Sequence, residues 1–346
     1  MSPRVTLRDI AARAQVHLST VSLALKNSPL LRPETRERIL GIAAQLGYTP
    51  DPMLSALVAY SRRNRTPVYQ ATLAWIDNWP KQGELRKVKS FNEYFLGAQE
   101  RAGQLGYKLE EFWLHAPGIT LPRVADILRA RSIQGLIVAP QEHDGDKLDF
   151  DFTHFSAVAL GYSLRPARLH IVTNHQAQSI ALLVEKLTGL GYKRIGLYLH
   201  ADWDKKVNHG CISGFSSAQK SLPAKNRVTP RITENVDKED FLKWFNRTRP
   251  DAVITMQITP HITDWIKPLR VPEDVGVAHF SAHPDDPQIA GIYQNDRLIG
   301  ASAADVVIGM LQRNEVGLPS NLVYTLVGGV WQPGASVRTA ATARPA

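Results

Sequence analysis

The sequence predicts an α/β protein in two unlike parts: a small N-terminal three-helix helix-turn-helix domain, then a large body of two doubly wound parallel-sheet subdomains. Three observations carry this. Residues 1–66 hold ten Lys/Arg and four Asp/Glu, a net +6, so the other 280 of the 346 residues carry only +3 of the total +9. Apolar residues recur at helical spacing through residues 6–47, in three short stretches. Beyond residue 70, short apolar runs of strand type alternate with amphipathic helical stretches, the pattern of βαβ units.

The first helix starts at Thr6, a capping residue with Asp9 three positions on, and buries Ile10, Ala11 and Ala14. A tight connection follows at Gln15–Val16. The second helix, within "HLSTVSLALKN" (residues 17–27), places Val21 and Leu25 at i, i+4 towards the core and leaves Leu18 and Leu23 off that stripe. The third begins at "RPETRER", with Pro33 in its first turn and Glu34 near the positive end of the helix dipole. Its stripe is Ile39, Ile42, Ala43 and Leu46, and Gly47 suits its C-terminus. Three stripes that close on one core make the trihelical layout whose second helix enters the major groove.

Pro50 and Pro52 stop the third helix; "MLSALVAY" can form another short helix and "SRRNRTP" reads as a basic linker. The body then runs "YQATLAWID" (strand), "FNEYFLGAQERAGQLGY" (helix), "KLEEFWL" (strand), "PRVADILRARS" (helix) and "IQGLIVAP" (strand). The order recurs in "SIALLVEKLTGLGYKRIGLYL" and "EDFLKWFNRTRPDAVITM", weak internal copies of the first set. Parallel sheets built this way bind ligands at the carboxyl ends of their strands, and two such halves enclose a cleft.

Composition narrows the function classes. The chain is 44% hydrophobic and 21% charged, as globular proteins are, and its one cysteine, Cys211, excludes an intramolecular disulfide. The polar start "MSPRVTLRDIAARA" lacks the apolar core of a signal peptide, and no apolar run approaches the roughly 20 residues of a membrane helix. A cytoplasmic protein with no membrane partner is the expectation. No phosphate-binding loop or GxGxxG follows a strand, and the histidines are scattered, so neither catalysis, a cofactor nor a metal is expected. Charge alone leaves two readings of the basic module, a polyanion partner or a merely solvated face.

The motifs "VTLRDIA", "STVSLAL", "TRERIL" and "LGYTPDP" stand in an order and spacing that resemble the DNA-binding domain of the lactose/galactose-repressor (LacI/GalR) family over about fifty residues. "RVPEDVGVAHFSA" and "YQNDRLIGASAADVV" resemble its effector-domain landmarks more loosely. The resemblance implies a headpiece (1–49), a hinge helix and linker (50–67), a periplasmic-binding-protein-like body (68–335) and a flexible tail (336–346). The body would divide into 68–162 plus 290–318, and 163–289 plus 319–335. It implies a homodimer on pseudo-palindromic double-stranded operator DNA, repressing carbohydrate-use genes under a small-molecule effector held between the subdomains, with a sugar as the candidate class. The alternatives are a DNA-binding regulator without a sugar effector, or a solute-binding protein or enzyme on the same body fold.

Carried over residue by residue, the resemblance implies that Leu18, Ser19 and Leu23 read bases. Leu7, Ser22, Lys26, Arg32, Thr35 and Tyr48 would be further DNA contacts, and Leu57 a hinge wedge in the minor groove. His17 replaces the usual capping serine, and Leu23 replaces an arginine that reads guanine, which points leucines towards thymine methyls instead. Aromatic faces plus polar tips suit a sugar, and the residues of that kind in the expected cleft are Asn78, Trp79, Phe91, Tyr94, Trp203, Asn208, His209, Gln257, Ser281 and Gln294. Cys211 and Ser281 stand where sugar-binding members carry an arginine and an aspartate, and Gln257 where they carry an asparagine, so the site has lost charge.

Overall fold

The computed structural model describes residues 5–25, 31–48, 71–166, 168–256 and 260–339. The N-terminal unit is three helices: α1 (Leu7–Ala14), α2 (Leu18–Leu25) and α3 (Pro33–Gln45). The Asp9 carboxylate accepts from the Thr6 backbone N–H and hydroxyl, both at 2.7 Å, which closes the first turn of α1 and holds the carboxyl below the usual range. Gln15 turns the chain in the left-handed region (φ 50°), and the Val16 N–H returns to the Ala11 carbonyl at 3.1 Å. Ile10, Ala14, Val21, Ala24, Ile39 and Ala43 form the core, with Leu7, Leu25, Ile42, Leu46 and Tyr48 packed at its edge. Ala24, rather than Leu25, is thus the fully buried partner of Val21. The Arg38 guanidinium donates to the Ala14 carbonyl at 3.0 Å, tying α3 to the end of α1.

The body contains two six-stranded sheets. The first holds β1 (Ala71–Asp77), β2 (Tyr107–Trp113), β3 (Gly135–Val138), β4 (Ser156–Leu160), β5 (His170–Asn174) and the late β11 (Tyr324–Val327). Its order is β11-β5-β4-β3-β1-β2, parallel throughout. Helices α4 (Glu84–Lys87), α5 (Lys89–Gln104) and α6 (Leu121–Ala130) belong to it. The second sheet holds β6 (Ile195–His200), β7 (Arg231–Thr233), β8 (Ala252–Thr255), β9 (Gly276–His279), β10 (Ala290–Tyr293) and β12 (Val330–Gln332). Its order is β12-β10-β9-β8-β6-β7, parallel except for β12. Its helices are α7 (Gln176–Gly189), α8 (Ala201–Lys206), α9 (Gly210–Ala218), α10 (Lys238–Thr248) and α11 (Pro260–Trp265). The eighteen-residue α12 (Asp296–Arg313) returns to the first sheet. Strands β3, β4 and β8 are buried end to end, as parallel strands covered on both faces must be. Among the described residues no helix is long and apolar enough to cross a membrane.

The chain changes subdomain three times, after β5, β10 and β11. This corrects the breaks expected at 163, 290 and 319. The helix and strand periods give elements, not partners. Strand β5 lies between β4 and β11 in the first sheet, and β10 lies between β9 and β12 in the second. The crossings hold one another: the His175 N–H donates to the Val327 carbonyl at 2.8 Å, and the Asn295 amide to the Gly328 carbonyl at 2.8 Å. The expected tail is also corrected. Ser336 accepts from the Ala290 N–H at 2.9 Å and donates to the Val277 carbonyl at 2.6 Å. The Arg338 guanidinium lies 4.3 Å from the Tyr192 ring centroid and donates to the Glu273 carbonyl at 3.1 Å. Buried hydrogen bonds make this segment part of the body, while 340–346 lie outside the described residues.

Helices α5 and α12 approach closely enough for backbone to meet backbone. A Cβ at Gly97 would collide with the Arg297 carbonyl, and one at Gly300 with the Tyr94 carbonyl. This contact sets the position of the α5 face that carries Phe91 and Tyr94.

Candidate functional site

Two surfaces gather the candidate residues. The first is the exposed face of α2. Leu18 is 38% exposed, Ser19 is exposed, and Ser22 and Leu23 are half-buried outside the core cluster. Leu23 thus lies off the core stripe, as its spacing implied, while Leu18, one turn before Val21, is exposed as the first residue of the helix. Arg32 is exposed at the start of α3 and Thr35 is half-buried one turn in. Leu7 and Tyr48 pack on the core edge, half-exposed. Lys26 and Leu57 lie outside the described residues. The His17 cap is made by its ring: Nδ1 accepts from the Ser19 N–H at 3.3 Å and stands 2.8 Å from the Ser19 hydroxyl. The His17 carbonyl takes the first backbone bonds of α2, from Thr20 and Val21. An imidazole therefore does the work of the serine it replaces.

The second surface is the cleft between the sheets. An inner cavity of about 120 Å³ is lined by Phe91 and Tyr94 from α5, Trp203 and Lys206 from α8, Ser281 after β9 and Gln294 after β10. Tyr162, Ser163, Asn174 and Gln176 complete its polar wall. An outer chamber of about 610 Å³ shares Trp203, Lys206 and Met256 with it and adds Glu142, Asp144, His200 and Asp202. The outer volume is in the range of small-molecule sites; the inner one is smaller. Two lysines bridge the cleft. The Lys206 ammonium donates to the Glu142 carbonyl, 5.3 Å above the Trp203 ring, and burial lowers its pKa. Lys89 pairs with Asp285 at 3.1 Å.

Five of the ten expected cleft residues, Phe91, Tyr94, Trp203, Ser281 and Gln294, meet at the inner cavity. Four do not, and each departure has a local cause. The Asn78 amide donates to the Gln141 side chain at 2.8 Å. Trp79 stands behind the lining: its indole N–H donates to the Pro140 carbonyl at 2.8 Å and its ring packs edge-on to Phe91 at 6.2 Å. Asn208 and His209 both occupy the left-handed turn between α8 and α9, where the His209 ring bonds Asp204 at 3.0 Å. Gln257 lies outside the described residues. Cys211 is fully buried and its thiol pKa is pushed up, so it packs and does not react. Tyr162, Ser163 and Asn174 were missed. They follow or end β4 and β5, so the rule that ligands meet strand carboxyl ends reaches them once those strands are counted. Lys206 was missed as well, although it stands one helical turn after Trp203.

Below the lining, Asp77 is buried with Oδ1 accepting the Trp79 N–H at 2.9 Å, while Oδ2 has no hydrogen-bond partner. Burial raises its pKa from 3.8 to about 6, against the lowering effect of that hydrogen bond. Between these values the native state holds more protons than the unfolded chain, so stability falls as pH rises through this window. Asp77→Asn keeps the acceptor and cannot ionise. It is expected to gain on the parent by about 1–3 kcal/mol as pH goes from about 4 to about 7. Urea unfolding across that range measures it, and a difference independent of pH would contradict the assignment.

The comparisons with known proteins agree with both parts. Residues 6–51 match the family described as bacterial regulatory proteins, lacI family, and residues 184–329 match a periplasmic binding protein-like domain. The repressor PurR of Haemophilus influenzae is 21% identical over 332 residues, covering 90% of this chain and 93% of PurR. ExuR of Bacillus subtilis, a probable repressor, is 51% identical over 47 residues, 14% of each chain. Among solved structures, the Lac repressor dimer bound to operator and an anti-inducer aligns with a TM-score of 0.56 at 18% identity, covering 97% of this chain and all of that one. A complex of the regulator CelR with cellobiose aligns with a TM-score of 0.51 at 17% identity, covering 96% and 100%. A basic trihelical headpiece before a two-sheet body, with these matches to each, places the chain in the LacI family of DNA-binding transcriptional regulators.

Proposed function

We propose that this regulator represses carbohydrate-use genes as a homodimer whose operator affinity is set by a neutral, polyhydroxylated effector held in the cleft, reaching from the inner cavity into the outer chamber that shares Trp203 with it. The observation that carries this is the lining. Phe91, Tyr94, Tyr162 and Trp203 supply aromatic faces, and Ser163, Asn174, Gln176, Ser281 and Gln294 supply uncharged donors and acceptors. Lys206, the one cation among the described residues that line it, is already bonded to the Glu142 carbonyl. Such a wall matches sugar C–H faces and hydroxyls better than an anion. The cellobiose complex of CelR shows a sugar bound by a regulator of this fold. The ligand would change the relation of the two subdomains about the three crossings and so the spacing of the paired headpieces, shifting operator affinity by its preference between states.

A thermal-shift and calorimetric screen of neutral sugars, with sugar acids and purines as the contrast, tests the class, because a ligand selective for the native state raises its stability. Trp203→Ala is expected to weaken the responding sugar by at least about tenfold, of the order of losing one stacking face. A response to purines or acids alone would overturn the proposal. A regulator without a sugar effector is the second reading, favoured by the burial of Cys211 and by the neutral Ser281 where sugar-binding relatives carry charge; no shift with any ligand class would support it.

A further inference from the structure

We propose that His17 sets the hydrogen-bond polarity of Ser19, so that the recognition helix presents an acceptor, not a donor, to the base it meets. The inference rests on the reading of α2 as the helix in the major groove, where the N-terminal residues meet base edges. Ser19 is the second residue of that helix and is exposed. A serine hydroxyl is ambiguous by nature, since it donates once and accepts twice. Here the ambiguity is removed by its neighbour. The Ser19 backbone N–H can only donate, and it points at His17 Nδ1 from 3.3 Å. A proton on Nδ1 would face that N–H head-on, so Nδ1 carries a lone pair and the ring proton sits on Nε2. The Ser19 hydroxyl, 2.8 Å from the same nitrogen, must then donate to it. Its two lone pairs remain free to accept, on an exposed residue. In the major groove their complements are the exocyclic amino groups of adenine and cytosine; guanine and thymine edges offer acceptors there.

The test is selection of the full-length protein on a pool of duplexes randomised across a half-site. One position is expected to prefer A or C on the contacted strand by about fivefold, the worth of one hydrogen bond. Ser19→Ala should erase that preference alone. His17→Ala should also erase it, and His17→Asn, whose side-chain oxygen restores both the cap and the acceptor, should keep it. If Ser19→Ala matters and His17→Ala does not, Ser19 reads DNA unaided and the proposal fails while the recognition helix stands. If Ser19→Ala changes no preference, Ser19 is not a reader, and the proposal falls with that assignment. A parent preference for G or T at that position also overturns it.

Discussion

A chain lacking residues 1–66 is expected to lose operator binding by at least about a thousandfold, down to the level of nonspecific DNA or below, while its body still unfolds cooperatively and still responds to ligand. The two parts own separate cores. The headpiece core is built from Ile10, Ala14, Val21, Ala24, Ile39 and Ala43, and the four clusters of the body contain none of these residues. Removing the headpiece therefore opens no cavity among the buried residues of either sheet. It does remove ten of the 41 basic residues and leaves a chain of net charge +3. Phosphate neutralisation by Lys and Arg supplies most of nonspecific affinity, so that loss alone is severe, and the loss of α2 removes base reading altogether. Fluorescence anisotropy on operator, beside calorimetric unfolding, measures both halves. Retained operator affinity would place DNA recognition in the body and end the assignment of α2.

What the sequence made legible, and what it did not, divides along one line. Periodicity located the headpiece helices and the strand–helix alternation, because each local element must show its buried face to one core. The off-stripe position of Leu23 came out, since 100° per residue sets it on the side away from Val21, whereas Leu18 lies one turn before Val21 on the same side and is exposed as the first residue of α2. The partners of β5 and β10 were not legible, because both are short apolar strands that would suit either sheet, and only pairing decides which. The same limit shaped the cleft. Phe91 and Tyr94 were found from their place after β1, but Trp79 was taken for lining when it supports Phe91 from behind. Burial depth behind a wall leaves no mark in residue type. His209 was misplaced for another reason: it was read as a ligand group, whereas the turn it occupies needs a left-handed residue pinned by Asp204. The His17 cap shows the opposite case, in which a departure from a family pattern located a working group that the list of expected readers had left out.

Substituting Gly300 should do the greatest damage of any single methyl addition in the body. Its Cβ would collide with the Tyr94 carbonyl and stand 2.9 Å from the Ala98 nitrogen, so the obstacle is backbone and not the end of a flexible side chain. Helices α5 and α12 would have to separate, and the cluster between them, with Phe95, Ala98, Ile299 and Ala303, would lose its packing. Gly300→Val is expected to cost about 3 kcal/mol or more, and Gly300→Ala a smaller loss of the same sign. Because α5 carries Phe91 and Tyr94 to the inner cavity, the same shift should weaken any ligand of the cleft. A control sits on the facing helix α5. Gly103 is also helical, but a Cβ there meets nothing within 4 Å. Gly103→Ala should therefore follow intrinsic helix propensity and stabilise by about 0.5–1 kcal/mol. Urea unfolding of the two alanine variants separates the causes. Opposite signs mean that close packing, not glycine flexibility, is what Gly300 provides; stabilisation by both would show that α5 and α12 yield without cost, and would remove the packing argument for how Tyr94 reaches the cleft.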